Sequence, residues 1–97
     1  MEQEVLKIIR LINLVTIDTC DPTSLKYEST ADPLKKIVYC RLNADIQKEL
    51  HTFLRKTIKK TVLKSNVWIG KISFDNRMLT MSVYKKRLRE PAYKPED

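Results

Sequence analysis

Residues 43–85 read NADIQKELHTFLRKTIKKTVLKSNVWIGKISFDNRMLTMSVYK, and the change of hydrophobic period inside this stretch decides the fold class. In its first half the apolar residues fall at Ile46, Leu50, Phe53, Leu54, Ile58 and Val62. Spacings of three and four put them on one face of an α-helix. Asn43 is a good N-cap, and Asp45 stands in the first turn, where the helix dipole favours an acid. The pattern predicts a helix from Asn43 to about Ser65; Thr57 and Thr61 lower its propensity without stopping it.

Beyond Ser65 the period drops to two. Trp68, Ile72 and Phe74 alternate with more polar neighbours, and Leu79, Met81 and Val83 do the same after Asp75-Asn76-Arg77. That is a strand over Val67–Phe74, a tight reversal, and a returning strand over Met78–Lys85, each burying one face.

Working outward toward the start of the chain, Val5, Ile8, Ile9, Ile12 and Val15 recur at helical spacing over Glu2–Val15, with Glu2 and Glu4 at the acid-favouring end. Leu6, Leu11 and Leu14 widen the apolar face, which suits burial on more than one side or a subunit interface. Asp18–Pro22 reads as a loop, Ser24–Ser29 as a short strand, Asp32-Pro33 as a turn and Lys35–Leu42 as a second strand. The expected order is α-β-β-α-β-β: an α+β fold with an antiparallel sheet and helices packed on one face. Residues 1–90 make one domain, and the proline-bearing segment 91–97 an extended or mobile tail.

Composition narrows the function classes. The 97 residues are 42% hydrophobic and 32% charged, as in a globular chain with one core. No stretch reaches the roughly 18 uncharged apolar residues of a membrane span. The start of the chain lacks the layout of a signal peptide, so an intracellular location is expected. Cys20 and Cys40 form no C-x-x-C and read as two buried free thiols. One glycine, Gly70, leaves no glycine-rich phosphate loop or dinucleotide fingerprint. A compact, nearly glycine-free, motif-free chain also suits a small virus- or mobile-element-encoded protein.

Charge is the informative feature. Residues 1–42 carry six basic and six acidic groups, whereas residues 43–97 carry thirteen and six, so the whole excess of +7 lies in the second half. Such a one-sided field attracts polyanions. Arg55, Lys56, Lys59, Lys60 and Lys64 stack on neighbouring lines of the helix, away from its apolar face, as a stripe about 14 Å long. No acid follows Glu49 in the helix, and lysine repulsion at i,i+4 costs a few tenths of a kcal/mol per pair. Lys85, Lys86, Arg87 and Arg89 form a second cluster where the last strand ends. The alternatives are a solvated helix face, an edge strand protected by charge, or a localisation signal.

The remaining candidates are weaker. Trp68 has apolar neighbours on both sides and reads as core; Tyr84 is out of phase with Leu79, Met81 and Val83 and is the better stacking candidate. Tyr93 is a third aromatic near the basic clusters. His51, the only histidine, reads as a surface residue with no ligand set around it. Asp18, Asp21 and Asp32 are explained as loop and turn residues, although acids like these also hold Mg²⁺ in nucleases. A long helix, a hairpin and a basic exit match the end of winged-helix domains in element order only; two strands precede the helix and no short helix-turn-helix pair does, so no family is assigned.

The expected function is therefore non-enzymatic nucleic-acid binding, to DNA or RNA, by phosphate contacts from Arg55, Lys56, Lys59, Lys60, Lys64, Lys85, Lys86, Arg87 and Arg89. It needs no cofactor, metal or catalytic residue, and is expected of a homodimer. The alternatives are an assembly subunit docking an acidic protein partner and, as a minor reading, a small metal-dependent nuclease.

Overall fold

The computed structural model describes residues 1–86. Arg87, Arg89, Tyr93 and the expected C-terminal tail lie outside the described residues. Two helices and four strands follow in the expected order: α1 (Glu2–Thr16), β1 (Lys26–Ser29), β2 (Lys35–Arg41), α2 (Lys48–Thr61), β3 (Val67–Asp75) and β4 (Met78–Lys85). The strands form one sheet in the order β1-β2-β4-β3, with every neighbouring pair antiparallel. The fold is thus α+β, built from two hairpins joined through the central β2–β4 pair.

The core explains the patterning. Val5, Ile8, Ile9 and Ile12 of α1 and Leu54 and Ile58 of α2 join Val38, Cys40, Leu79, Met81 and Val83 of the two central strands in a single buried cluster. These strand residues alternate along β2 and β4, so both helices pack on the same sheet face. Full burial of a side chain such as Ile58 contributes about 1.5–3 kcal/mol. Cys20 and Cys40 are buried free thiols. No helix of the described residues is long and apolar enough to cross a membrane.

Two local features depart from the sequence reading. Asn43 does not cap α2; Gln47 holds the N-cap position, without a side-chain capping bond. Cys20 makes an antiparallel bridge with Leu42, the Asn43 N–H donates to the Thr19 carbonyl at 2.7 Å, and the Asp21 N–H donates to the Arg41 carbonyl at 2.9 Å. These bonds hold the chain extended past the end of β2, so it cannot turn helical at Asn43. Ile46, 7% exposed, anchors the intervening loop in the core instead of starting the helical face.

The second departure is in β3. Its register with β4 shifts between Ile69 and Ile72. A bulge of this kind reverses the side-chain phase, and the sole glycine, Gly70, lies within it. Val67 and Ile69 before it, and Ile72 and Phe74 after it, consequently all join the core. Trp68 is buried at 8% exposure but outside that cluster, paired with Tyr84 on the opposite face of the sheet. Beyond β3, Asn76 and Arg77 both have positive φ, at 53° and 57°, as a two-residue type I′ hairpin turn requires.

Candidate nucleic-acid interface

Helix α2 lies over the sheet with Leu54 and Ile58 inward, which leaves Lys56, Lys59 and Lys60 exposed on its far side. The chain then tightens into a 3₁₀ turn, Val62–Lys64, that carries Lys64 at the surface. Among the described residues none of these four lysines makes a hydrogen bond or an ion pair, and α2 contains a single acid, Glu49, a full turn before Phe53. Phe53 falls outside the apolar face assigned to it from its spacing. It is 53% exposed, at i and i+3, i+7 from Lys56 and Lys60, so it shares their side of the helix. Leu63, 47% exposed, follows them three residues after Lys60.

Arg55 stands apart from this stripe. It is half-buried, its Nε donates to the Ile72 carbonyl at 3.3 Å, and its guanidinium carbon sits 5.6 Å from the centre of the Phe74 ring. It thus ties α2 to edge strand β3 beside the bulge. The Phe74 ring also stacks on His51, with centroids 4.9 Å apart and planes at 28°. His51 is accordingly half-buried, with Nε2 3.1 Å from the Ile46 carbonyl oxygen, and not a free surface residue.

The end of β4 runs across the end of α2. The Lys86 backbone N–H donates to the Asn66 carbonyl at 2.9 Å. Its ammonium donates to the carbonyls of Val62 at 3.2 Å and Leu63 at 2.9 Å, and stands 3.9 Å from the centre of the Trp68 ring. A cation suits this place, where the last carbonyls of a helix carry the negative end of its dipole. Desolvation there lowers the Lys86 pKa below that of an ordinary lysine. Lys85 is exposed beside it. The two basic clusters, Lys56–Lys64 and Lys85–Lys86, therefore adjoin at the C-terminal end of α2.

The same region holds a cation that spacing does not reveal. The start of α1 lies against the end of α2, and the groove between them, about 270 Å³, is lined by Glu4, Lys7, Ile8, Thr61, Val62, Lys64 and Ser65. Lys7 belongs to the charge-balanced half of the chain; only the packing of the two helices brings it to Lys64.

The aromatic candidates lie elsewhere. Trp68 and Tyr84 pair on the sheet face opposite the helices, and Lys35 Nζ stands 5.2 Å from the centre of the Tyr84 ring. Trp68 is covered by Lys86. Of the loop acids, Asp21 accepts from the Thr23 N–H at 3.0 Å and hydroxyl at 2.6 Å and pairs with Arg41 at 2.7 Å. The Thr23 bonds, then Arg41, hold its carboxyl below the usual carboxylate range. Asp32 accepts from the Leu34 N–H at 2.9 Å, closing its turn. Asp18 has a left-handed backbone, φ 57°. Among the described residues no three His, Cys, Asp or Glu side chains come together as a set able to hold a metal ion.

Comparison with known proteins adds no assignment: no family model, no curated protein and no solved structure matches the chain.

Proposed function

We propose that this protein binds nucleic acid through backbone phosphates, using the solvent face of α2 and the adjoining end of β4. The observation that carries the reading is the meeting of the two clusters. Lys86 draws the end of β4 onto the last carbonyls of α2, so Lys60, Lys64 and Lys85 share one neighbourhood, with Lys56 and Lys59 continuing up the helix and Lys7 across the groove. Among the described residues Lys56, Lys59, Lys60 and Lys64 have no acidic partner, whereas Lys7 lies in the field of Glu4; each phosphate that such lysines bind releases counterions. Arg55 and Lys86 support that surface by holding its elements together. Among the described residues no set of Asn, Gln or Arg side chains converges on the stripe, which favours contacts to phosphate over base edges.

Titration of labelled single-stranded and duplex oligonucleotides at rising salt tests the proposal. Binding should weaken linearly in log K against log salt, with a slope of about −0.7 to −0.9 per neutralised phosphate. Absence of binding at low salt refutes it. Exposed Phe53 and Leu63 at the margins of the lysines favour one second reading, an acidic protein partner with apolar side chains. That reading requires stoichiometric co-purification without affinity for nucleic acid. Pairing of two copies, the homodimer reading, rests on Leu14 and Ile17, which are 82% and 87% exposed at the end of α1. Sedimentation of Leu14→Lys against the parent chain decides it.

A further inference from the structure

The sheet face turned away from the helices carries a depression of about 420 Å³, lined by Ile37 and Tyr39 of β2, Thr80 and Ser82 of β4, and Lys71 and Ser73 of β3. Small-ligand clefts measure about 300–1,000 Å³. Alternation decides which residues line it. Val38, Leu79, Met81, Ile72 and Phe74 join the core, so the residues between them face the other way. Across the sheet Tyr39 stands opposite Thr80 and Ile37 opposite Ser82, while Ser73 faces Thr80 from β3. Three short hydroxyl side chains thus make the floor. The longer Tyr39 and Ile37 wall it on one side, and Lys71 on the other.

Ile37, Tyr39, Thr80 and Ser82 sit on the two central strands and carry no charge. Charges stand only around them: Lys26 and Glu28 of β1, opposite Tyr39 and Ile37, Lys35 and Arg41 at the two ends of β2, and Lys71 and Asp75 of β3. An uncharged centre inside a charged rim is the anatomy of a binding surface. Cations outnumber acids on this rim, and Asp75 already accepts from the Ser73 hydroxyl at 2.6 Å. Ser82 is only 7% exposed, yet among the described residues its hydroxyl makes no hydrogen bond. Buried polar groups normally have a partner, so the floor holds a donor and an acceptor that a ligand can satisfy.

We propose, on the reading that the α2 stripe binds nucleic acid, that this depression seats an unpaired base of a single strand. The base stacks on the Tyr39 ring, its polar edge meets the Ser82 and Thr80 hydroxyls, and its flanking phosphates lie toward Lys71 and Lys26. A nucleobase offers both a π face and an edge of donors and acceptors, which the ring and the hydroxyls match. The excess of cations on the rim suits a polyanion better than an apolar protein face. The depression is also continuous with the stripe. From Ser82 to exposed Lys85 is about 10 Å along β4 at ~3.3 Å per residue, and Lys85 adjoins the end of α2. A single strand lying on the stripe therefore reaches the open sheet. A duplex keeps its bases paired and stacked inside and brings only phosphates to the depression.

The test titrates labelled oligothymidine and a duplex of equal length with the parent chain, Tyr39→Ala and Tyr39→Phe at one low salt concentration. Tyr39→Ala should weaken single-strand binding about tenfold, the loss of one stacked base, and leave duplex binding within about twofold. Tyr39→Phe, which keeps the ring, should bind as the parent does. Circular dichroism establishes that each variant is folded. A second measurement needs no variant: an oligonucleotide carrying iodouracil, photo-crosslinked to the parent chain, should leave its adduct on Tyr39. Unchanged single-strand binding by folded Tyr39→Ala, adducts confined to α2, or a dimer of the parent chain that sediments as monomer in Tyr39→Ala would each overturn this site and leave the stripe standing. Absence of any nucleic-acid binding by the parent would overturn both.

Discussion

Replacing Lys86 by Met separates the lysine that holds the surface together from those that face the ligand. Met keeps most of the aliphatic stem over Trp68 and removes the ammonium. Two charge-assisted hydrogen bonds are lost, at 3.2 and 2.9 Å, together with a cation–π contact at 3.9 Å. A hydrogen bond to a charged group contributes about 1.5–3 kcal/mol, and an exposed cation–π contact about 0.5–1 kcal/mol. The Val62 and Leu63 carbonyls stand at a helix end and regain water when the ammonium leaves, which cuts the loss to about 1.5 kcal/mol in all. For a domain of this size that is roughly 10 °C in Tm. Thermal and urea unfolding followed by circular dichroism measure the loss, and the emission of the single tryptophan, Trp68, should shift as the cation leaves its ring. The salt slope of oligonucleotide binding should keep its parent value at temperatures where the variant is folded. A Lys86→Met chain as stable as its parent, with a slope smaller by about one unit, would refute the reasoning and make Lys86 a phosphate ligand.

Further outcomes follow from the same geometry. Ile17 ends α1 with φ 60° while 87% exposed, an unfavourable backbone for a β-branched residue with little packing to lose, so Ile17→Gly should stabilise by about 1 kcal/mol in urea unfolding. Phe53→Ala should leave stability within about 0.5 kcal/mol, the usual range at exposed positions, and weaken single-stranded binding more than duplex binding, because only unpaired bases can stack on an exposed ring. Lys56→Gln should lower the salt slope by about one unit, with stability unchanged or slightly raised.

The elements were legible because the core residues of α1, β2 and β4 each follow a single period. Local rules failed where a long-range bond competes with them. Asn43 is chemically a good cap, yet Thr19 and Cys20 claim the backbone around it for a sheet-like pairing that no local window contains. Trp68 is buried, as its apolar neighbours on both sides imply, but on the sheet face opposite the helices; the bulge at Gly70 reverses the phase of β3, and only the register with β4 reveals it. On the candidate site the outward face of α2 was legible from helical geometry. The separation of Lys86 from Lys85, and of Arg55 from Lys56, was not, since neighbouring basic residues look alike until their partners are known. Lys7 had no signal at all, because its relevance comes from the packing of α1 against the end of α2.

The energetics of the lysine stripe show which of its members the fold accounts for. Lys59 and Lys60 occupy the last turn of α2 and Lys64 the 3₁₀ turn after it. A cation near a helix C-terminus gains about 0.3–1 kcal/mol from the dipole, which offsets about 0.2–0.5 kcal/mol of repulsion from each like-charged neighbour at i,i+4. Those three are tolerable to the helix whether or not anything binds. Lys86 has two carbonyls and a ring, and Arg55 has the Ile72 carbonyl. Lys56 has none of these compensations. It lies in the middle of α2, too far from the end for the dipole, with Lys60 at i+4, Lys59 at i+3 and exposed Phe53 one turn before it. Folding alone gives no reason for a cation there, so under the proposed function the weight of the stripe falls first on Lys56, where removing the charge costs the fold nothing.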